Sequence, residues 1–132
     1  MSALQTYAHP AGRILLALIF VVAGFGKLGD VQGFAGYLTS GGLPAFLAWP
    51  AILFEILVGL ALLVGFMTRP VALALAGFSI VTALLYHFDP ANQMQMTMLL
   101  KNLAMSGGYL ILFAFGPGIL SVDGQLSRPA LA

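Results

Sequence analysis

Four long apolar runs separated by short polar breaks organise the chain. A helix needs about 20 mostly apolar residues to cross a bilayer's hydrocarbon, and each run is long enough. The first covers about residues 10–28: Pro10 suits a first helical turn, and no charge falls between Ile14 and Gly26. The second covers about 44–67 and is interrupted only by Glu55. The third covers about 69–88, and the fourth about 90–115. The start of the fourth has two readings, at Pro90 with Asp89 as N-cap, or near Thr97 where strong hydrophobicity begins. The pattern predicts an all-α fold, an integral membrane four-helix bundle forming one domain over residues 1–132.

The connections are unequal. Met67-Thr68-Arg69-Pro70 leaves room only for a tight hairpin between the second and third helices. The first connection is longer, and Asp30 can cap a short amphipathic turn over 30–40, with Val31, Phe34 and Leu38 on one side and Gly41-Gly42 as its stop. The tail from Gly116 reads as a short Pro/Gly-containing segment. The first run reads as a retained helix and not as a cleaved leader, because no A-x-A site follows it and Lys27 stands where a mature start would be. The pairs Ala61/Gly65, Ala72/Ala76 and Ala104/Gly108 are small-x-x-x-small spacings that let helices approach closely.

Composition excludes a soluble reading. Of 132 residues 61% are hydrophobic and 7% charged, against about 25% charged in soluble domains. The net charge of +1 offers no basic surface for nucleic acid. With no cysteine there is no disulfide, Cys-ligated zinc, iron–sulfur cluster or thiol redox chemistry. The lipid bilayer is therefore the expected surrounding. Arg13, Arg69 and Arg128 fall to one side and Lys27 and Lys101 toward the other, which predicts both termini in the cytoplasm.

The polar residues inside the runs share a depth. At 1.5 Å per residue, Lys27 lies roughly 21 Å from Arg13, Glu55 roughly 18 Å from Met67, His87 roughly 27 Å from Arg69, and Lys101 with Asn102 roughly 20 Å from Phe115. Each helix thus carries a polar group in the outer half of the bilayer. An isolated charge there is costly, so these groups are expected to face the bundle and pair. Glu55 is the only carboxylate deep in a run, with Lys27, Lys101 or both as expected partners. Asn102, Ser106 and Tyr109 share one face of the fourth helix, and Ser79 and Tyr86 share one on the third with His87 beside it. The candidate lining of an outward cavity is therefore Lys27, Glu55, His87, Lys101, Asn102, Tyr86, Ser106 and Tyr109. Each also has a plain alternative: the lysines can snorkel, His87 can bond backbone, and serines and tyrosines can pack helix against helix.

No metal is expected. Met94, Met96 and Met98 offer soft sulfur that favours Cu(I), but alternate spacing suits an extended chain better than a helix. His9 and His87 lie at opposite ends, so no bis-histidine haem pair forms.

Several short stretches together resemble one family. They are Arg13, Gly24-Phe25-Gly26-Lys27-Leu28, Glu55, Gly65-Phe66-Met67-Thr68-Arg69, His87, Lys101-Asn102-Leu103-Ala104 and Ser121-Val122-Asp123-Gly124. In order and spacing, from Arg13 to Gly124, they look like the DoxX family of small bacterial inner-membrane proteins. The resemblance implies a four-helix membrane bundle in the inner membrane and a link to redox chemistry. Family members are described as subunits of quinol-oxidase or thiosulfate:quinone oxidoreductase systems. By that implication the chain is the membrane component of a quinone-linked or other redox system, with quinone as the expected small molecule and a partner subunit supplying electrons. Its own residues cannot hold one. The competing readings are a non-catalytic membrane anchor or assembly subunit, and a small-solute carrier component, which would require a homo-oligomer. The resemblance assigns no role to Asp123.

Overall fold

The computed structural model describes residues 2–127, and its helices run α1 (Ala3–Lys27), α2 (Val31–Ser40), a 3-10 turn (Ala45–Leu47) leading into α3 (Ala48–Val64), α4 (Thr68–Tyr86), α5 (Gln93–Phe115) and α6 (Val122–Leu126). There is no strand among the described residues. Four helices, α1, α3 with its 3-10 turn, α4 and α5, are long and apolar enough to span a membrane.

Two boundaries differ from the sequence expectation. The first helix begins at Ala3 and not near Pro10, because Ser2 and Gln5 form a reciprocal capping box, each side chain bonding the other's backbone N–H. Pro10 therefore sits inside α1, and membrane helices tolerate such a break. The fourth spanning helix begins at Gln93, between the two expected starts. Asn92 is its cap, accepting from the N–H groups of Met94 at 3.1 Å and Gln95 at 3.2 Å. Asp89 instead accepts from Ala91 N–H in the preceding loop. Within the short Pro/Gly-containing tail, Val122–Leu126 form the helix α6.

The bundle is two close pairs, α1 with α3 and α4 with α5, joined more thinly to each other. Glycine permits the α1–α3 approach. A Cβ on Gly24 would lie 2.7 Å from Ile56 Cγ1, and one on Gly59 would lie 3.0 Å from the Val21 backbone nitrogen. These two contacts bring the helix backbones together, and at the end of α3 a Cβ on Gly65 would lie 2.9 Å from the Arg13 guanidinium of α1. Ala72 and Ala76 are buried in the core, whereas Ala104 is exposed. An aromatic cluster fills the centre, with Phe20 5.7 Å from Phe78 and 6.0 Å from Tyr109, and Phe54 5.1 Å from Phe78.

α6 locks the end of the bundle that carries Arg13. Gly65 ends α3 at φ 74°, and Met67 follows at φ 48°, a left-handed conformation that is costly for methionine. No side chain of the hairpin caps α4. Asp123 does so from α6, accepting from Met67 N–H at 2.9 Å and Thr68 N–H at 2.8 Å, while its own N–H donates to Gly65 O at 2.9 Å. Arg13 donates to Pro117 O at 2.7 Å and Leu120 O at 2.9 Å, which fixes the loop that delivers α6. Burial alone would raise the Asp123 carboxyl, but these backbone N–H groups and the nearby Arg13 guanidinium outweigh it and hold it below the usual carboxylate range. The Ser-Val-Asp-Gly stretch is thus a cap acting across the fold.

Candidate functional site

At the other end a cavity of about 410 Å³ is lined by residues of both helix pairs and of α2. Phe20, Phe78 and Ser79 contribute its inner wall, and Phe34, Tyr37 and Leu38 of α2 contribute from the loop side. The size falls in the range of small-molecule pockets, and the lining is mostly apolar with a few polar groups, as such pockets usually are.

The last turn of α1 and the middle of α3 place Lys27 and Glu55 together. Lys27 Nζ donates to Glu55 Oε2 at 2.6 Å, with Glu55 6% and Lys27 25% exposed. The close approach at Gly24 brings α1 directly against Glu55, since a Cβ on Gly24 would lie 3.3 Å from Glu55 Cβ. The Lys27 ammonium also sits 5.0 Å from the centre of the Phe34 ring, which favours a cation on its face.

α2 is held over the cavity by Tyr86. Its hydroxyl donates to Leu38 O at 3.0 Å, and its ring stacks on Tyr37 at 4.6 Å. Burial first, and the adjacent Tyr86 phenol second, raise the Tyr37 hydroxyl pKa. His87, at the end of α4, pairs its Nδ1 with Gln95 Oε1 at 2.8 Å.

Of the eight candidate residues, Lys27, Glu55, Tyr86, His87, Lys101 and Asn102 line this cavity. Ser106 and Tyr109 do not, and their expected place is corrected. Ser106 shares its single hydroxyl hydrogen between Ala76 O and Asn102 O, each 3.0 Å away, and Tyr109 donates to Leu16 O at 2.8 Å in the aromatic core. One face of α5 continues from the cavity into the packed centre, so a shared face is not a shared site. Asn102 marks the transition: it lines the cavity while its amide bonds Ser79 O and Thr82 Oγ1 on α4. Lys101 lines the cavity but makes no ion pair with Glu55. Sequence reasoning missed Phe34 and Tyr37 as lining residues. Tyr37 is an aromatic on the expected amphipathic turn, but nothing local shows that its partner stands on α4, 49 positions later.

The two lysines stand at the cavity end, and Arg13 and Arg69 at the other, where Arg69 lies beside Gly116. Arg128 falls outside the described residues.

This geometry defines a four-span membrane bundle with a small, mostly apolar chamber at one end and an ion pair in its wall. The DoxX family model matches residues 9–88, and the chain belongs to the DoxX family. It is 40% identical over 128 residues to inner membrane protein YqjF of Escherichia coli (strain K12), an alignment covering 97% of this chain and 98% of that one. It is 31% identical over 118 residues to inner membrane protein YphA of the same organism, covering 84% of each. No solved structure matches the chain.

Proposed function

We propose that the protein is an inner-membrane component of a redox system, and that its chamber binds a quinone headgroup. The observation that carries the reading is the Lys27–Glu55 pair set into a mostly apolar, aromatic-walled cavity within membrane-spanning helices. An intramembrane ion pair facing a cavity is expected to serve a ligand or proton path. The inner-membrane location follows the two relatives, which carry that description. The arginine bias of the short loops supports cytoplasmic termini, and with them a chamber in the outer half of the bilayer.

In this reading Tyr37 and Tyr86 offer faces to a flat ring, and the Lys27 ammonium donates a hydrogen bond to a ring oxygen while Glu55 keeps it oriented. His87, held through Nδ1 by Gln95, presents its other ring nitrogen for proton exchange. Reduction of a quinone to its quinol takes two electrons and two protons. The electrons come from a redox partner subunit, since this chain offers no electron-carrying side chain.

The test is binding. Protein purified under mild conditions is extracted for co-purifying quinone, and the stripped protein in phosphatidylcholine nanodiscs is titrated with ubiquinone-1. Saturable binding that weakens at least tenfold in Glu55→Gln supports the reading. Absence of both co-purified quinone and saturable binding overturns it, and the ion pair then stands as a helix fastener of a membrane anchor.

A further inference from the structure

The charges around the chamber do not balance. Its lining holds two ammonium groups, Lys27 and Lys101, and one carboxylate, Glu55. Lys27 and Glu55 satisfy each other at 2.6 Å, while Lys101 pairs with no carboxylate among the described residues. The two other acidic residues near this end do not line the chamber. Asp30 caps α2 through Gly33 N–H, and Asp89 accepts from Ala91 N–H. His87 is committed through Nδ1 to Gln95. Lys101 lies eight residues into α5, roughly 12 Å along the helix, and is exposed while it lines the chamber, so an anion entering from outside can reach it.

We propose that Lys101 is the counter-charge for an anionic ligand: the chamber takes an aromatic ring bearing one ionised oxygen, a hydroxyquinone or phenolate, in preference to its neutral counterpart. This rests on the reading that the chamber binds an oxygen-substituted ring, and it specifies the charge state bound. Such a ligand brings one negative charge and leaves the lining neutral. Its ring suits the apolar, aromatic walls, and its oxyanion meets an ammonium that has no carboxylate partner among the described residues. A neutral ring would leave Lys101 as it is.

The test uses two probes of nearly equal shape, 2-hydroxy-1,4-naphthoquinone and 2-methoxy-1,4-naphthoquinone. The hydroxyl of the first is a vinylogous acid and is ionised at neutral pH; the second carries no charge. Both are titrated against the full-length protein in phosphatidylcholine nanodiscs at pH 7.5, with probe-only partitioning into empty nanodiscs subtracted. The expected result is at least tenfold tighter binding of the hydroxy compound. Lys101→Gln should abolish the preference and Lys101→Arg should retain it, with the monodisperse elution of each variant verifying its fold. Equal binding of the two probes overturns the anion preference and leaves the quinone reading intact. A preference that survives in Lys101→Gln overturns the assignment to Lys101. Binding of neither probe, nor of ubiquinone-1, removes both readings.

Discussion

Lys27 closes α1 and Glu55 stands in the middle of α3, and their 2.6 Å contact is made because Gly24 lets the two helices touch one turn before the lysine. Glu55 is nearly enclosed while Lys27 keeps a quarter of its side chain exposed, so the two are not equally dependent on each other. Loss of the lysine strands a buried carboxylate. Loss of the glutamate leaves an ammonium that can reorient toward the interface. Lys27→Met is therefore expected to cost more stability than Glu55→Gln. Breaking a fully buried pair costs about 3–5 kcal/mol, and the exposure of Lys27 lowers the expectation to about 1–3 kcal/mol. The double variant Lys27→Met, Glu55→Gln should recover part of the loss. Denaturant titration of all four proteins in micelles gives the cycle, and additive losses would show that the pair is not coupled.

Tyr86 fastens α2 by two separable contacts, a hydroxyl to Leu38 O and a ring stacked on Tyr37. Tyr86→Phe removes only the first, worth about 1 kcal/mol, and should raise hydrogen exchange of the α2 amides about fivefold. Tyr86→Ala removes both and should raise it further, while exchange in the aromatic core around Tyr109 stays unchanged. Equal protection of α2 in all three proteins would show that the chamber's cover is held by other contacts.

Met94, Met96 and Met98 all lie within α5. At 100° per residue Met96 points well away from the other two, so the three sulfurs cannot converge on one ion. Purified protein is expected to carry no stoichiometric copper, and Met94→Leu, Met96→Leu, Met98→Leu in combination should leave metal content unchanged. One copper per chain, lost in the triple variant, would contradict this.

The spanning helices were legible because about 20 apolar residues have few other uses, and the shared depth of Lys27, Glu55, His87 and Lys101 was legible because helical rise is regular. Rotation about each helix was not. Depth alone left Glu55 open to Lys27 or Lys101, and the choice depends on the glycine contact at Gly24. The Asn102, Ser106 and Tyr109 stripe was correct as a face, yet the face runs from chamber into core. The role of Asp123 was invisible because its partners, Met67 and Thr68, stand some 55 positions earlier and are bonded through their backbone, which leaves no trace in residue type.

Glycine positions separate packing from helix propensity. Gly24 and Gly59 have no room for a methyl group, so Gly24→Ala should destabilise by about 1–3 kcal/mol through overpacking. A Cβ on Gly77 or Gly107 meets nothing within 4 Å. Alanine at either should stabilise by up to about 1 kcal/mol from propensity alone. Thermal melts in one detergent compare the three, and a neutral Gly24→Ala would show that α1 and α3 can separate without loss.

Asp123 gives the sharpest test of the cap across the fold. Its carboxylate satisfies two N–H groups at the start of α4 and faces Arg13, and one of those N–H groups belongs to Met67, which holds a left-handed φ. Asp123→Ala should cost about 1–2 kcal/mol, the size of a lost helix cap, and should expose the α3–α4 hairpin to protease. Met67→Gly, which relieves the left-handed strain, should recover part of that loss in the double variant. The pH dependence has a definite sign. The folded pKa lies below the ordinary value of 3.8, so the folded state binds its proton less readily than the unfolded chain. The contribution is therefore complete at neutral pH and falls away as pH drops below about 4 and through the folded pKa. A plot of stability against pH should lose part of its acid slope in Asp123→Ala, and Asp123→Asn, which keeps one acceptor oxygen but no charge, should also flatten the slope while retaining more stability at pH 7. An unchanged acid slope in both variants would place the cap's strength in geometry and not in the charge of the carboxylate.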